Sequence, residues 1–365
     1  MIYNLAFYVQ CISLAIVSIT APIYIFIITV VLYYRKEEQH LKNSFFTLWV
    51  ALGFTDLSHA TIFWLTCKVP LMGFFSNFFL NASAEVANVG MFLVFVTHFA
   101  QVFCSGLLSI NRLSALLYPT SYESLWNKPF LIPSMVILSY FISSLMAIPS
   151  LYMRPIWTHV DPKDNNSKIA MHFLTLELSK TYLFLVGVVL AIAASAIVAI
   201  YAIMFYKVHK MPLQKRNSLR TQIKLAICGF LVAFFLAVLA VFWWIFSFFS
   251  DLISFDDYSV IFFISCDLNT FSNGYLLLCV SKLARRRSLM MLQKLCCCIN
   301  FKNRVGGMTT TGIGGTGLNG RTVSQAVIST AHSQKSGGQV AIRVSSRASV
   351  IGAGSIEKAL PIVQA

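Results

Sequence analysis

Five polar residues, His98, Gln101, Ser105, Ser109 and Arg112, follow one another at intervals of 3, 4, 4 and 3 inside an otherwise apolar run. That spacing puts all five on one face of an α-helix, and a polar face in apolar surroundings should point into a protein interior. Two acids also sit within apolar runs: Asp56 in Gly53-Phe54-Thr55-Asp56-Leu57, and Asp267 in Cys266-Asp267-Leu268-Asn269, followed by Ser272 and Asn273. Such groups could act on protons, bind an ion or hold a hydrogen-bonded network. Aspartyl proteolysis within a membrane would require Gly-x-Gly-Asp around one acid, and neither has it. Gly-x-Ser-x-Gly and His-Glu-x-x-His are absent as well, which removes the commonest serine and zinc mechanisms. The nine cysteines lack the paired short spacings of a zinc site, and Cys296, Cys297 and Cys298 are contiguous. The expectation is therefore no enzyme, no metal and no cofactor. For Asp56, Asp267, Asn269 and Asn273 two readings stay open: an intramembrane polar network that rearranges on switching, or structural hydrogen bonding between helices. His98, Gln101, Phe95, Trp243 and Trp244 are candidates for a ligand pocket, with ordinary core packing as the plainer alternative.

The elements that must position these residues follow from composition. Of 365 residues, 57% are hydrophobic and 11% charged, where soluble domains carry about a quarter charged residues. A water-soluble fold cannot hide that much apolar surface. A membrane helix needs about 20 apolar residues, and seven stretches supply them: Leu5 to Tyr34, Phe45 to Thr66, Val86 to Tyr118, Phe130 to Leu151, Thr181 to Tyr206, Leu225 to Phe249 and Ser259 to Ser281. The predicted fold is an all-α membrane protein, a seven-transmembrane-helix bundle over residues 1–281. The first stretch has no basic residue before it and is too long for a signal core, so it reads as a permanent span.

The net charge of +15 does not point to nucleic acid, because the basic residues gather in alternate loops and the tail. One side holds 23 of the 28 Lys and Arg residues; the other holds Lys68, Arg154, Lys163, Lys168 and Lys180. The basic side is cytoplasmic by the positive-inside rule, which puts the N-terminus outside a plasma-membrane protein. The sequons at Asn81 and Asn165 both fall on the outer side, as candidate glycosylation sites, and the outer loop with Asp251, Asp256 and Asp257 is acidic. After the last span, residues 282–298 combine Arg285, Arg286, Arg287 and Lys294 with leucines and methionines, the pattern of an amphipathic juxtamembrane helix on an anionic lipid surface. Cys296, Cys297 and Cys298 beside it are candidates for palmitoylation. Residues 299–365, rich in Gly, Ser and Thr from Asn303 onward, read as a disordered cytoplasmic tail.

At the inner end of the third span the sequence runs Ser109-Ile110-Asn111-Arg112-Leu113-Ser114-Ala115-Leu116-Leu117-Tyr118-Pro119, followed by Tyr122 and Trp126. This resembles the signature of nematode serpentine chemoreceptors, especially class gamma, and Asp267 through Asn273 with Ser281-Lys282 resembles that family's closing motif. The resemblance covers about residues 1 to 295. It implies a rhodopsin-like seven-helix receptor that senses an external small molecule or pheromone-like cue and signals to a heterotrimeric G protein. Asn111, Arg112 and Tyr122 would then form the coupling switch, with Arg112 bonded inside the bundle at rest; a positive-inside anchor is the alternative for Arg112. The sequence departs from the pattern at Gly274, where the family has proline, and in the Tyr152 to Lys180 loop, which lacks the cysteine of the common disulfide. Cys11 and Cys67 are the candidate outer pair. A ligand-gated channel and a small transporter are the competing functions; the inside N-terminus of insect-type channels opposes the charge pattern, and no internal repeat of a transporter is visible.

Overall fold

A chain in hydrocarbon finds no water for its N–H and C=O groups, so each apolar run must satisfy them internally, which a helix does. The computed structural model describes residues 2–160, 168–212, 220–249 and 255–306. The seven runs form α1 (Ile2–Tyr34), α2 (Ser44–Phe63), α3 (Ala84–Leu117), α4 (Leu131–Ala147), α5 (Leu176–His209), α6 (Arg220–Phe249) and α7 (Phe255–Val280), and α8 (Lys282–Gly306) comes after them. Among the described residues, the spans of α1 to α6 are long and apolar enough to cross a membrane. The α7 helix has 26 residues, about 39 Å at 1.5 Å per residue, also enough for the roughly 30 Å hydrocarbon core. Its acids lower its hydropathy. The chain is a multi-pass membrane protein.

Burial separates the helices by position. In the apolar window of α3, 72% of residues are buried, against 22% in that of α4, so α3 runs through the bundle and α4 lies at its edge. Ile12, Ile16 and Ile19 on α1, and Ile137, Leu138, Phe141 and Leu145 on α4, face outward. In lipid such rows need no cover, because acyl chains are as apolar as the side chains.

Helix α2 does not end where its apolar run ends. Beyond Phe63 it widens into a π-helical turn, Trp64–Lys68, with the Val69 N–H reaching back to the Trp64 carbonyl, and then continues over Val69–Leu71. Pro70 supplies the cause: it has no N–H for the Thr66 carbonyl, and its ring crowds that carbonyl. The indole of Trp157 donates to Thr66 O instead, at 3.1 Å. One extra residue in the turn rotates the remainder of the helix by about 100°. Lys68, expected in the outer loop, is thereby turned into the bundle and buried.

The connection between α4 and α5 adds a feature the all-helical expectation lacked, a β-hairpin of β1 (Pro155–His159) and β2 (Ile169–Phe173), paired antiparallel with Trp157 opposite Met171. A lone two-stranded ribbon is marginal in water. This one is held by Trp157, whose ring lies 5.1 Å from that of Phe79 in the short helix Ser76–Asn81.

Met1–Leu295 form one compact unit and Cys296–Gln364 a second, of which the helical backbone through Gly306 is described. The Ser281 hydroxyl caps the start of α8 by accepting from the Ala284 N–H at 3.1 Å. Arg287 pairs with Glu38 and lies over the Tyr34 ring at 4.7 Å, while Leu289 and Leu292 stay exposed. Cys11 and Cys67 are free thiols. The sequon asparagine Asn165, the side chains of Cys296, Cys297 and Cys298, and the tail beyond Gly306 lie outside the described residues. Asn81 is exposed at the end of its short helix.

Candidate functional site

The end of the bundle beside the β-hairpin, the outer end in the sequence-based expectation, holds a cavity whose empty space, open solvent at its mouth included, is about 870 Å³. Helices α2, α3, α5, α6 and α7 contribute His59, Phe63, Phe95, His98, Leu183, Trp243, Phe262 and Phe263, and the hairpin adds Ala170, Met171 and Phe173. The aromatic rings brace one another. Phe95 lies 5.9 Å from Trp243, Trp243 meets Phe262 edge-on at 4.9 Å, and Phe63 meets Phe263 at 5.4 Å. Such contacts hold the walls in place and favour an apolar occupant. Of the pocket candidates, Phe95, His98 and Trp243 line this cavity. Trp244 does not; its ring packs against α5 at Gly187, where an added Cβ would come within 2.6 Å.

Below the cavity lies a polar network around Asp56, which is fully buried. Its carboxylate accepts from Tyr24 Oη at 2.7 Å, Gln101 Nε2 at 2.7 Å and Asn273 Nδ2 at 3.2 Å. Asn269 Nδ2 donates to Gln101 Oε1 at 3.3 Å. Gln101, expected in the pocket, therefore serves this network from one turn further in. Gly274 explains Tyr24: a Cβ at that position would stand 2.7 Å from the tyrosine ring, so the glycine lets α1 approach α7 closely enough for the phenol to reach Asp56.

Asp267 is not part of that network. Both its oxygens contact Lys68 Nζ at 2.6 Å, and Ser13 Oγ donates to it at 2.5 Å. Lys68 also lies 4.4 Å from the Trp64 ring centroid. The grouping of the four residues expected from sequence thus divides into a carboxylate solvated by amides and a phenol, and an ion pair joining the π-turn to α7.

At the opposite end of the bundle, the inner one in the sequence-based expectation, Asn111, Tyr122 and Ser44 close a ring of hydrogen bonds. Asn111 Nδ2 donates to Ser44 Oγ at 3.0 Å, Tyr122 Oη donates to Asn111 Oδ1 at 3.1 Å, and the Ser44 and Tyr122 hydroxyls are 2.6 Å apart. With those two donors assigned, the Ser44 hydroxyl gives its hydrogen to Tyr122, and every member both donates and accepts. Burial holds the Tyr122 phenol above its ordinary pKa, so it remains a donor. Arg112 turns the other way: Nη1 donates to Tyr201 Oη on α5 at 3.3 Å, and the guanidinium lies over the Phe45 ring at 4.9 Å. A second cavity, about 460 Å³ out to its mouth, is bordered by Arg112, Ser109, Tyr201, Gly229 and Asn273.

Sequence reasoning missed Tyr24, Ser44, His59, Lys68 and Tyr201. His59 lies three residues after Asp56 and shares its inward face, a signal that was available. The others are brought in by packing between distant helices.

The family model described as "Serpentine type 7TM GPCR chemoreceptor Srv" matches residues 13–294. The chain belongs to this serpentine chemoreceptor family. It is also similar to the Caenorhabditis elegans protein "Serpentine receptor class gamma-11", with 21% identity over 287 residues, covering 72% of this chain and 76% of that one. The family expected from the Asn111-Arg112 motif is thus the one found, with the matching model of class Srv and the relative of class gamma.

Proposed function

We propose that this chain is a plasma-membrane chemoreceptor that binds a small-molecule or pheromone-like cue in the outer aromatic cavity and passes the signal to a heterotrimeric G protein at its inner face. The N-terminus is then extracellular and the α8 segment cytoplasmic, following the distribution of Lys and Arg between the two sides. The observation that carries the reading is continuity. His98 borders the outer cavity, Gln101 one turn inward bonds Asp56, Asp56 bonds Asn273, and Asn273 borders the inner cavity with Arg112. A cue that moves α3 against α2 and α7 has to rearrange this chain of contacts, which gives the two ends a shared two-state element. In this reading Arg112 leaves Tyr201 and Phe45 for the G protein on activation, and Asn111 with Tyr122 sets the position of the inner loop. Asn81 carries glycan outside, and Cys296, Cys297 and Cys298 carry acyl chains inside.

The test is a cue screen on cells expressing the full chain with a promiscuous Gα, read by calcium, alongside a tag at the N-terminus. The tag should label on intact cells and a cue should raise calcium only when the Gα is present. A cue-dependent current in cells lacking G proteins, or an N-terminal tag reached only after permeabilisation, would overturn the proposal.

A further inference from the structure

Among the described residues, no Asp, Glu, Lys or Arg lines the outer cavity. A charged ligand would give up its hydration there with no counter-charge in the described wall, which is costly. The described wall carries the unpartnered Nε1 donor of Trp243 and a pair of histidines, His59 on α2 and His98 on α3, with ring centroids 5.2 Å apart and both residues buried. Their surroundings fix them differently. His59 is stacked on Phe63 at 5.6 Å, and its Nδ1 is 3.1 Å from Thr97 Oγ1. The Thr97 hydroxyl has one hydrogen, and backbone carbonyls of its own helix, Leu93 O at 2.8 Å and Val94 O at 3.1 Å, receive it. Thr97 Oγ1 is thereby placed to accept from His59 Nδ1–H, the tautomer in which His59 Nε2 keeps its lone pair. His98 Nε2 is buried and makes no hydrogen bond among the described residues. Buried polar atoms are satisfied in nearly every native site, so an orphan beside a cavity marks where a ligand atom belongs.

We propose that His59 and His98 together recognise a single hydroxyl group on an otherwise apolar, uncharged ligand of ring size. The inference rests on the reading of this cavity as the cue site. A hydroxyl suits the pair because it donates to one ring and accepts from the other, whereas an ether or a ketone can only accept. The aromatic walls take the apolar body. A site built to bond a hydroxyl rejects the analogue lacking it more strongly than an apolar pocket rejects a missing methylene, because the rejected analogue leaves buried nitrogens unpaired.

The experiment measures binding of four probes to the purified full-length chain in lipid nanodiscs: 2-phenylethanol, its methyl ether, ethylbenzene and phenylacetate. The alcohol should bind tightest, the ether and hydrocarbon about tenfold or more weaker, and phenylacetate not detectably. His98→Phe should abolish the preference for the alcohol over ethylbenzene, and His98→Gln, which keeps a hydrogen-bonding group, should retain part of it. Equal binding of alcohol and ether, survival of the preference in His98→Phe, or no binding by any probe would each overturn the proposal. Because the assay contains no G protein, alcohol binding without any cellular response would sink the receptor reading alone. A cellular response to charged cues with no alcohol binding would sink this inference alone.

Discussion

Lys68 and Asp267 stand in an apolar interior where neither charge would survive by itself. A buried ion pair gains little over apolar residues of similar volume, yet removing one partner strands the other charge. Asp267→Asn should therefore cost about 3–5 kcal/mol of stability, read as a lower unfolding temperature of the purified chain, while Lys68→Met combined with Asp267→Leu should recover most of the loss. A single variant as stable as the parent would mean that water or a neighbouring group compensates Lys68. At this scale the sequence was legible where a polar residue interrupts an apolar run: Asp56, Gln101, Asn273 and Arg112 all proved to be buried and bonded. It was not legible for Lys68, which stands just past the end of its run and looks like a loop residue until the π-turn is known. Nor could the spacing tell Trp243 from Trp244, since adjacent residues differ in direction by about 100° and the phase of α6 is set by packing.

Two elements owe their geometry to residues that lack something. Pro70 lacks an N–H, which opens the π-turn and leaves Thr66 O for Trp157. Gly274 lacks a Cβ, which lets Tyr24 reach Asp56. Gly274→Ala should push the Tyr24 ring away and destabilise by about 1–3 kcal/mol, the usual range for overpacking. Tyr24→Phe in the same background should then cost little more, because the bond is already lost; additive losses in the double variant would show that Gly274 acts elsewhere. The spans themselves were read to within a few residues because the bilayer imposes a length and forbids open backbone. The hairpin was not read. Its strands are five residues each, too short for a periodic signal, and their stability comes from Trp157 and Phe79, which meet across distant sequence.

In the proposed orientation the described bundle joins an outer chamber, a central hydrogen-bonded layer and an inner arginine. The α8 segment bears on how the inner end is held: its start is fixed by Ser281 and by the Arg287 pair with Glu38. A transmembrane anchor already precedes it, so acylation at Cys296, Cys297 and Cys298 would adjust position more than attachment. Changing all three to Ser should abolish acyl-exchange labelling, leave the spans inserted, and alter signalling or trafficking; a wild-type signal no greater than that of the triple variant would reject acylation there. The family assignment covers residues 13–294 and was legible from the Asn111-Arg112 motif. The bond from Arg112 to Tyr201 was not, because Tyr201 lies on α5 and no local pattern links the two. The switching role of Arg112 is tested most directly by G-protein activation in Arg112→Ala at surface expression matched to the parent, measured as separation of Gα from Gβγ in living cells. If Arg112 meets the G protein as proposed, cue-driven separation should fall to background while the variant reaches the surface normally. Undiminished separation in the variant would contradict that role and leave Arg112 as an anchor on the cytoplasmic side.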